Sequence, residues 1–244
     1  MGTGKTNQKY CRLLIDQVDA SGFTRQVGSV GVTYDTKDVS AYSDAVTNFT
    51  LGHPTFVLDG YQAVLDNTAL GEHAELSAVE EYITTFAIGI RAAPALGNPA
   101  ILSVLEQTSY VIDGDAVNVT AGFARGQTNI GYKKAFGLVL EPGAASRSET
   151  LTGTSVQDVV AATSNGAIAH LHVTVSSGTT WTLKVQDAPD NSTWADLITF
   201  SADGSVIVGE QATVAGNVDK WLRVLLTRVG GAGSLTAWVA IARQ

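Results

Sequence analysis

The sequence predicts a mainly β fold: a β-sandwich with one flanking α-helix, followed by a C-terminal all-β part. Three observations predict it. From Ile168 to Arg243, short segments that alternate apolar and polar residues are separated by turn clusters at intervals of roughly ten residues. One stretch, Glu72 to Ala87, shows helical spacing of its apolar residues instead. Glycine is abundant, at 25 residues, while charged residues make up only 16% of the chain, a composition common in β proteins whose surfaces meet other subunits.

The C-terminal rhythm is the clearest. Leu171, Val173 and Val175 alternate with His170, His172 and Thr174, as a strand with one buried face requires. Trp181, Leu183 and Val185 repeat the pattern, and Asp187 to Ser192 supplies residues that tolerate turn dihedrals. Trp194 to Phe200 is the next apolar run, and Ala202-Asp203-Gly204-Ser205 turns the chain again. Trp221 to Arg228 has two half-apolar faces, which fits a strand near the middle of a sheet or between subunits. After Gly230-Gly231-Ala232-Gly233, Leu235 to Ile241 forms the last strand.

In the first part, Cys11 to Val18 and Thr24 to Tyr34 read as a hairpin around Ala20-Ser21-Gly22. Between Asp35 and Pro54 the periodicity dissolves, which predicts a loop of about twenty residues, long enough that it is either mobile or held by a partner. Its candidate assembly residues are Asp35, Asp38, Tyr42, Asp44 and Phe49, and the aromatics Tyr42 and Phe49 favour the partner reading because exposed aromatic anchors favour interfaces. Thr55 to Leu65 is extended. The helix 72–87 places Leu76, Val79, Ile83, Phe86 and Ala87 on one face, with acidic residues towards its first turns, where the helix dipole favours them. Ile101 to Ile112 and Ala116 to Phe123 bracket the turn Asp113-Gly114-Asp115, and Lys133 to Leu140 is another strand. Glu141 to Thr154, rich in small residues, is the best boundary, giving a first domain over 1–145 and a second over 150–244, or one larger fold that includes both.

Bulk properties restrict function. The net charge of −8 argues against a surface that grips nucleic acid through its phosphates. Cys11 is the only cysteine, so no internal disulfide forms. Met1 to Lys9 is polar, without the apolar core of a secretory signal, and no run approaches the roughly 20 apolar residues of a membrane helix. Gly2-Thr3-Gly4-Lys5-Thr6 resembles the end of a phosphate-binding loop but has no strand before it.

Chemistry has few footholds. His170 and His172 share a strand face at a spacing compatible with a metal, yet no third ligand lies in that strand, so a polar strand face is the simpler reading. Neither Asp113/Asp115 nor Glu80/Glu81 lies beside a nucleophile, and no Gly-x-Ser-x-Gly or His-Glu-x-x-His motif occurs. Four tryptophans in the last part, Trp181, Trp194, Trp221 and Trp238, fit core positions better than a sugar-binding platform. We therefore expect no enzyme activity, no cofactor and no metal.

Leu13-Leu14-Ile15-Asp16, Asp19-Ala20-Ser21-Gly22-Phe23, the long segment from Asp35 to Asn48, Leu58-Asp59-Gly60-Tyr61, the single helix and Asp115-Ala116-Val117-Asn118-Val119 follow one another in an order that resembles the tube-forming tail proteins of long-tailed bacteriophages. Val185 to Asp196 is similar to a segment common in phage virion β-domains. That resemblance implies a β-sandwich with a flanking helix, six copies closing a ring by joining their sheets, and rings stacking through the loop 35–54. Its partners would be itself and other tail proteins, with DNA passing through unbound and no membrane, in a virion assembled in the host cytoplasm. The C-terminal part is larger than the resemblance implies. A capsid decoration or head–tail joining protein is the alternative within virions, and a carbohydrate-binding β-sandwich is the alternative outside them.

Overall fold

The computed structural model describes residues 8–41, 46–66, 68, 71–78, 80–114, 117–125, 136–158 and 161–244. Seventeen strands follow in order: β1 Cys11–Ile15, β2 Val18–Asp19, β3 Thr24–Gln26, β4 Ser29–Asp38, β5 Phe49–Val64, β6 Glu81–Ile88, β7 Pro99–Ile112, β8 Asn118–Arg125, β9 Phe136–Pro142, β10 Leu151–Thr152, β11 Val156–Gln157, β12 Ala167–Ser176, β13 Trp181–Ala188, β14 Ala195–Thr199, β15 Val208–Val214, β16 Trp221–Arg228 and β17 Leu235–Arg243. One short helix, α1, spans Glu72–Leu76. The fold is mainly β with antiparallel sheets in a sandwich-like arrangement, as the alternation predicts.

Twelve strands form one sheet along the path β15-β12-β17-β9-β7-β6-β1-β2, from which β8, β5, β4 and β3 branch. The branch arises at β7, which is 14 residues long. One edge of β7 pairs with β6 from Ala100 to Glu106. Its other edge is divided between β9, at Pro99 to Ile101, and β8, at Leu105 to Ile112. A second sheet runs β10-β16-β13-β14, with β11 also on β16. The large sheet thus crosses the 145–150 segment, carrying strands from both sides of it.

Strand alternation explains three separate cores. Leu171, Val173, Val239 and Ile241 face the second sheet and pack on Trp181, Leu183, Val185, Leu222, Val224 and Leu226. Leu13, Ile15, Leu58, Tyr61, Leu76, Tyr82, Leu105 and Phe123 form the second core. The third is small and rich in alanine: Leu14, Ala87, Ala100, Leu102, Val139, Trp238, Ala240 and Ala242. It lies on the opposite face of β1 from the second core and on the opposite face of β17 from the first, because neighbouring residues of a strand point to opposite sides. To enclose it, the large sheet curls until β12 and β15 meet β2 and β6. At that meeting Gly209 passes the turn after β1 so closely that an added Cβ would lie 2.6 Å from Cα of Asp16.

Two expectations are corrected. The helix 72–87 ends at Leu76, and Glu81–Ile88 is β6. Tyr82, Ile83, Thr84, Thr85 and Phe86 are β-branched or aromatic, a run that favours a pleated surface over a helix. Leu76 is still fully buried and Phe86 still packs on the second core, but Phe86 does so from a strand. Val79 lies outside the described residues. Half of the supposed loop 35–54 is strand: β4 runs to Asp38 and β5 begins at Phe49, leaving 39–48 between them. A bulge between Tyr34 and Thr36 shifts the register there and breaks any period-two pattern.

Candidate assembly site

The outer half of the β4–β5 hairpin has the features of an interaction surface. β4 pairs with β5 from Ser29↔Asp59 out to Asp38↔Phe49. β5 gains a second neighbour, β8, only from Leu58 to Val64. Among the described residues, β4 and the first half of β5 therefore form a two-stranded ribbon with an unpaired edge on each side. At its base Gly28 and Gly60 touch: Gly60 has φ 63°, and a Cβ added there would lie 3.2 Å from Cα of Gly28. This position requires glycine on both counts.

Local hydrogen bonds shape the tip. The Val39 amide donates to the Asn48 carbonyl at 2.9 Å, which continues the ladder one step past the strands. Asp38 Oδ1 accepts from the Ser40 amide at 2.8 Å, and Ser40 Oγ accepts from the Asn48 amide at 2.8 Å. Hydrogen bonds from the Ser40 hydroxyl and then from its amide hold the Asp38 carboxyl below its ordinary range, so the tip keeps a negative charge in water. Val39, Val46 and Phe49 are exposed at 55%, 70% and 65%. Of the five sequence candidates, Asp35 lies in β4, Asp38 ends it and Phe49 opens β5; Tyr42 and Asp44 lie outside the described residues. Sequence reasoning passed over Val39 and Val46, whose exposure becomes visible only once the ribbon stands clear of the cores.

A second constellation lies where the curled sheet meets itself. His170 and His172, expected on a polar face, are both 0% exposed. His172 Nδ1–H donates to the Asp16 carbonyl at 2.7 Å, and its Nε2 accepts from the Thr85 hydroxyl at 2.7 Å. Thr85 Oγ1 is also 3.1 Å from His170 Nδ1, which therefore donates to it. His170 Nε2, 3.0 Å from the Gln211 side-chain amide, is then an acceptor, so Gln211 presents its NH2 group there. This chain joins β15, β12, β6 and the turn after β1. Burial pushes His170 down to about 3, helped by His172, and burial likewise pushes His172 down to about 4. Both rings are neutral and spend their nitrogens on protein partners.

Beyond it, burial pushes the Asp16 carboxyl up to about 6, against the Ile83 amide, which donates to its Oδ1 at 2.7 Å. Glu75 is pushed up to about 7, first by burial and then by the charges of Asp16 and Glu80, although Gln17 donates to its Oε2 at 2.6 Å. Among the described residues no three His, Cys, Asp or Glu side chains converge as metal ligands would.

The tryptophans are distributed between cores and edges. Trp181 and Trp238 are buried, Trp221 is half-buried in β16, and the Arg223 guanidinium stacks 4.1 Å over the half-buried Trp194 ring. Among the described residues no helix is long and apolar enough to cross a membrane.

No family model matches the chain, and no curated protein matches it. Among solved structures, it aligns over 96% of its length with 99% of the Dit protein of phage SPP1, described as a hub adsorption apparatus of phages that infect Gram-positive bacteria, at 10% identity and a TM-score of 0.29. It also aligns over 95% of its length with 55% of the VP2 chain of the infectious bursal disease virus subviral particle, at 11% identity and a TM-score of 0.28. At that level neither bears on what the chain does.

Proposed function

We propose that this chain is a structural virion protein of a phage, one that assembles with copies of itself into stacked rings forming a tail tube through which DNA passes. The β4–β5 ribbon carries this reading. Two strands alone are marginal in water, and edges that no other described strand pairs, beside exposed Val39, Val46 and Phe49, gain free energy when another chain covers them. Support also comes from the order of segments in the first part, which resembles tube-forming tail proteins. The net charge of −8 suits a conduit that repels phosphates. The ribbon takes the role that the resemblance gives to the stacking loop.

Electron microscopy of negatively stained protein tests the proposal. Tubes or stacked rings are expected from the natural chain, and Phe49→Glu should leave unstacked species only. Discrete trimers or single rings would instead favour a capsid decoration or head–tail joining protein. Monomers at every concentration would remove the assembly reading. A mobility-shift titration at low salt, where screening is weakest, tests the conduit: no duplex binding is expected, and binding that fades with added salt would point to a DNA-coating protein.

A further inference from the structure

At the start of β1, away from the ribbon tip, a pocket of about 270 Å³ opens beside the second core. That volume is near the lower end of small-molecule sites, which span about 300–1,000 Å³. Its floor is apolar, made by Leu13, Val27 and Phe86. Its rim carries Lys9, Arg12 and Arg25, and none of its nine lining residues is acidic. In a chain where acidic residues outnumber basic ones by 23 to 15, three cations around one hollow is a marked concentration of positive charge.

Among the described residues these cations have no ion-pair partner. Among the described residues the ion pairs join Arg147 to Glu141, Lys184 to Asp196, Arg228 to Glu149 and Arg243 to Asp158, and include none of the three. Arg25 donates to the neutral side chain of Asn118, and the Lys9 ammonium sits 4.8 Å from the centre of the Tyr10 ring. Arg12 is half-buried. Burial keeps the Cys11 thiol above its ordinary range, so it adds no negative charge to the wall at neutral pH. The two hydroxyls at the pocket are already committed as donors: Thr24 Oγ1 donates to the Ala20 carbonyl at 2.7 Å and Ser21 Oγ to the Leu13 carbonyl at 3.4 Å. Recognition of a ligand therefore falls to the cations, with the apolar floor taking its body.

We propose that this pocket binds a small organic anion, a carboxylate or phosphate on a compact apolar body, with Lys9, Arg12 and Arg25 holding the charge against the floor of Leu13, Val27 and Phe86. A guanidinium forms charge-assisted hydrogen bonds with such a group, and an apolar body gains by leaving water for the floor. Inorganic phosphate would use only the rim, and a neutral aromatic only the floor.

Cys11 is the only cysteine of the chain and lines the pocket, so it reports on occupancy without any engineered label. The experiment measures the rate of Cys11 modification by a thiol reagent at mildly alkaline pH, on the full chain, as phenyl phosphate is added. Inorganic phosphate and benzyl alcohol serve as comparators. Within each variant the rate with probe is divided by the rate without it, because removing a cation also changes the reactivity of the thiol. Saturable protection by phenyl phosphate is expected, weaker protection by inorganic phosphate, and none by benzyl alcohol. Arg12→Gln should raise the midpoint of protection about tenfold, as loss of a charge-assisted bond would. Arg25→Gln, at an exposed position that folding tolerates, should raise it by less, and Arg12→Lys should keep most of the affinity. The proposal is overturned if benzyl alcohol protects as well as phenyl phosphate, if phenyl phosphate fails to protect, or if the midpoint is the same in both Gln variants as in the natural chain. Protection that grows with protein concentration and ignores the probe also overturns it, in favour of a contact between chains.

Discussion

The core between the two sheets and the β4–β5 ribbon are built from the same kind of strand, yet they bury very different amounts of themselves. In the first, alternate residues of β12, β13, β16 and β17 interdigitate, and Leu171, Leu183, Leu222 and Leu226 are fully buried. In the second, Val39, Val46 and Phe49 remain largely in water. Burial is therefore uneven in space: one region packs its apolar side chains together, and the other leaves Val39, Val46 and Phe49 in water.

The largest expected effect breaks the buried side of this contrast. Trp181, 1% exposed, should cost about 3–5 kcal/mol when changed to Ala, read as a loss in denaturant midpoint. Its indole N–H has no hydrogen-bond partner, so Trp181→Phe should cost much less, because it removes an unsatisfied donor along with part of the ring. Next comes Arg243, whose buried side chain donates from Nε to the half-buried Asp158 at 2.9 Å. Arg243→Leu should cost about 3 kcal/mol in the same assay by removing the cation from this pair.

A smaller effect depends on pH and sharpens the contrast at the third core. His170 and His172 have folded pKa values below their unfolded ones, so their contribution is present above about 6.5 and lost as pH falls towards 4 and 3. Asp16 and Glu75 work in the opposite sense: their contribution is full below their unfolded values near 4 and is lost as pH rises through about 6 and 7. Glu75→Gln should therefore stabilise the protein above about pH 7, with the gain vanishing towards acid. Thermal unfolding of both chains across that range checks the sign. The smallest effect on stability is expected at the ribbon. Phe49→Ser should shift unfolding by no more than about 0.5 kcal/mol, while sedimentation shows its assembly lost.

The same contrast explains what could be read in advance. Strands with one buried face, such as β12, β13 and β17, show their alternation plainly, because a slipped register would move their apolar side chains into water. β15 escaped notice because Gly209, Glu210 and Gln211 interrupt any alternation at a sheet edge. β6 was hidden behind the real helical turn that precedes it. In the candidate site, Asp38 and Phe49 could be singled out by residue type, but the ribbon could not, because the bulge between Tyr34 and Thr36 breaks the alternation. The link from His172 to Asp16 spans 156 positions and depends on how far the sheet curls, which no local pattern encodes.

The position of β17 also sets a schedule. It lies between β12 and β9, and Trp238 to Ile241 pair back to Leu138 to Pro142. The second core, by contrast, draws only on residues between Leu13 and Phe123. During translation at about 5–20 residues per second, roughly 6–24 s separate the emergence of Arg125 from that of Arg243. The first half of the molecule, ribbon included, can be folded through most of that interval, while the outer edge of β9 waits for β17. Limited proteolysis of ribosome-bound chains stalled near residue 160 should then yield a protected fragment that contains the second core. Chains made side by side on one message would carry finished ribbons before their own sheets had closed, so that neighbours on the same polysome could meet before either was complete.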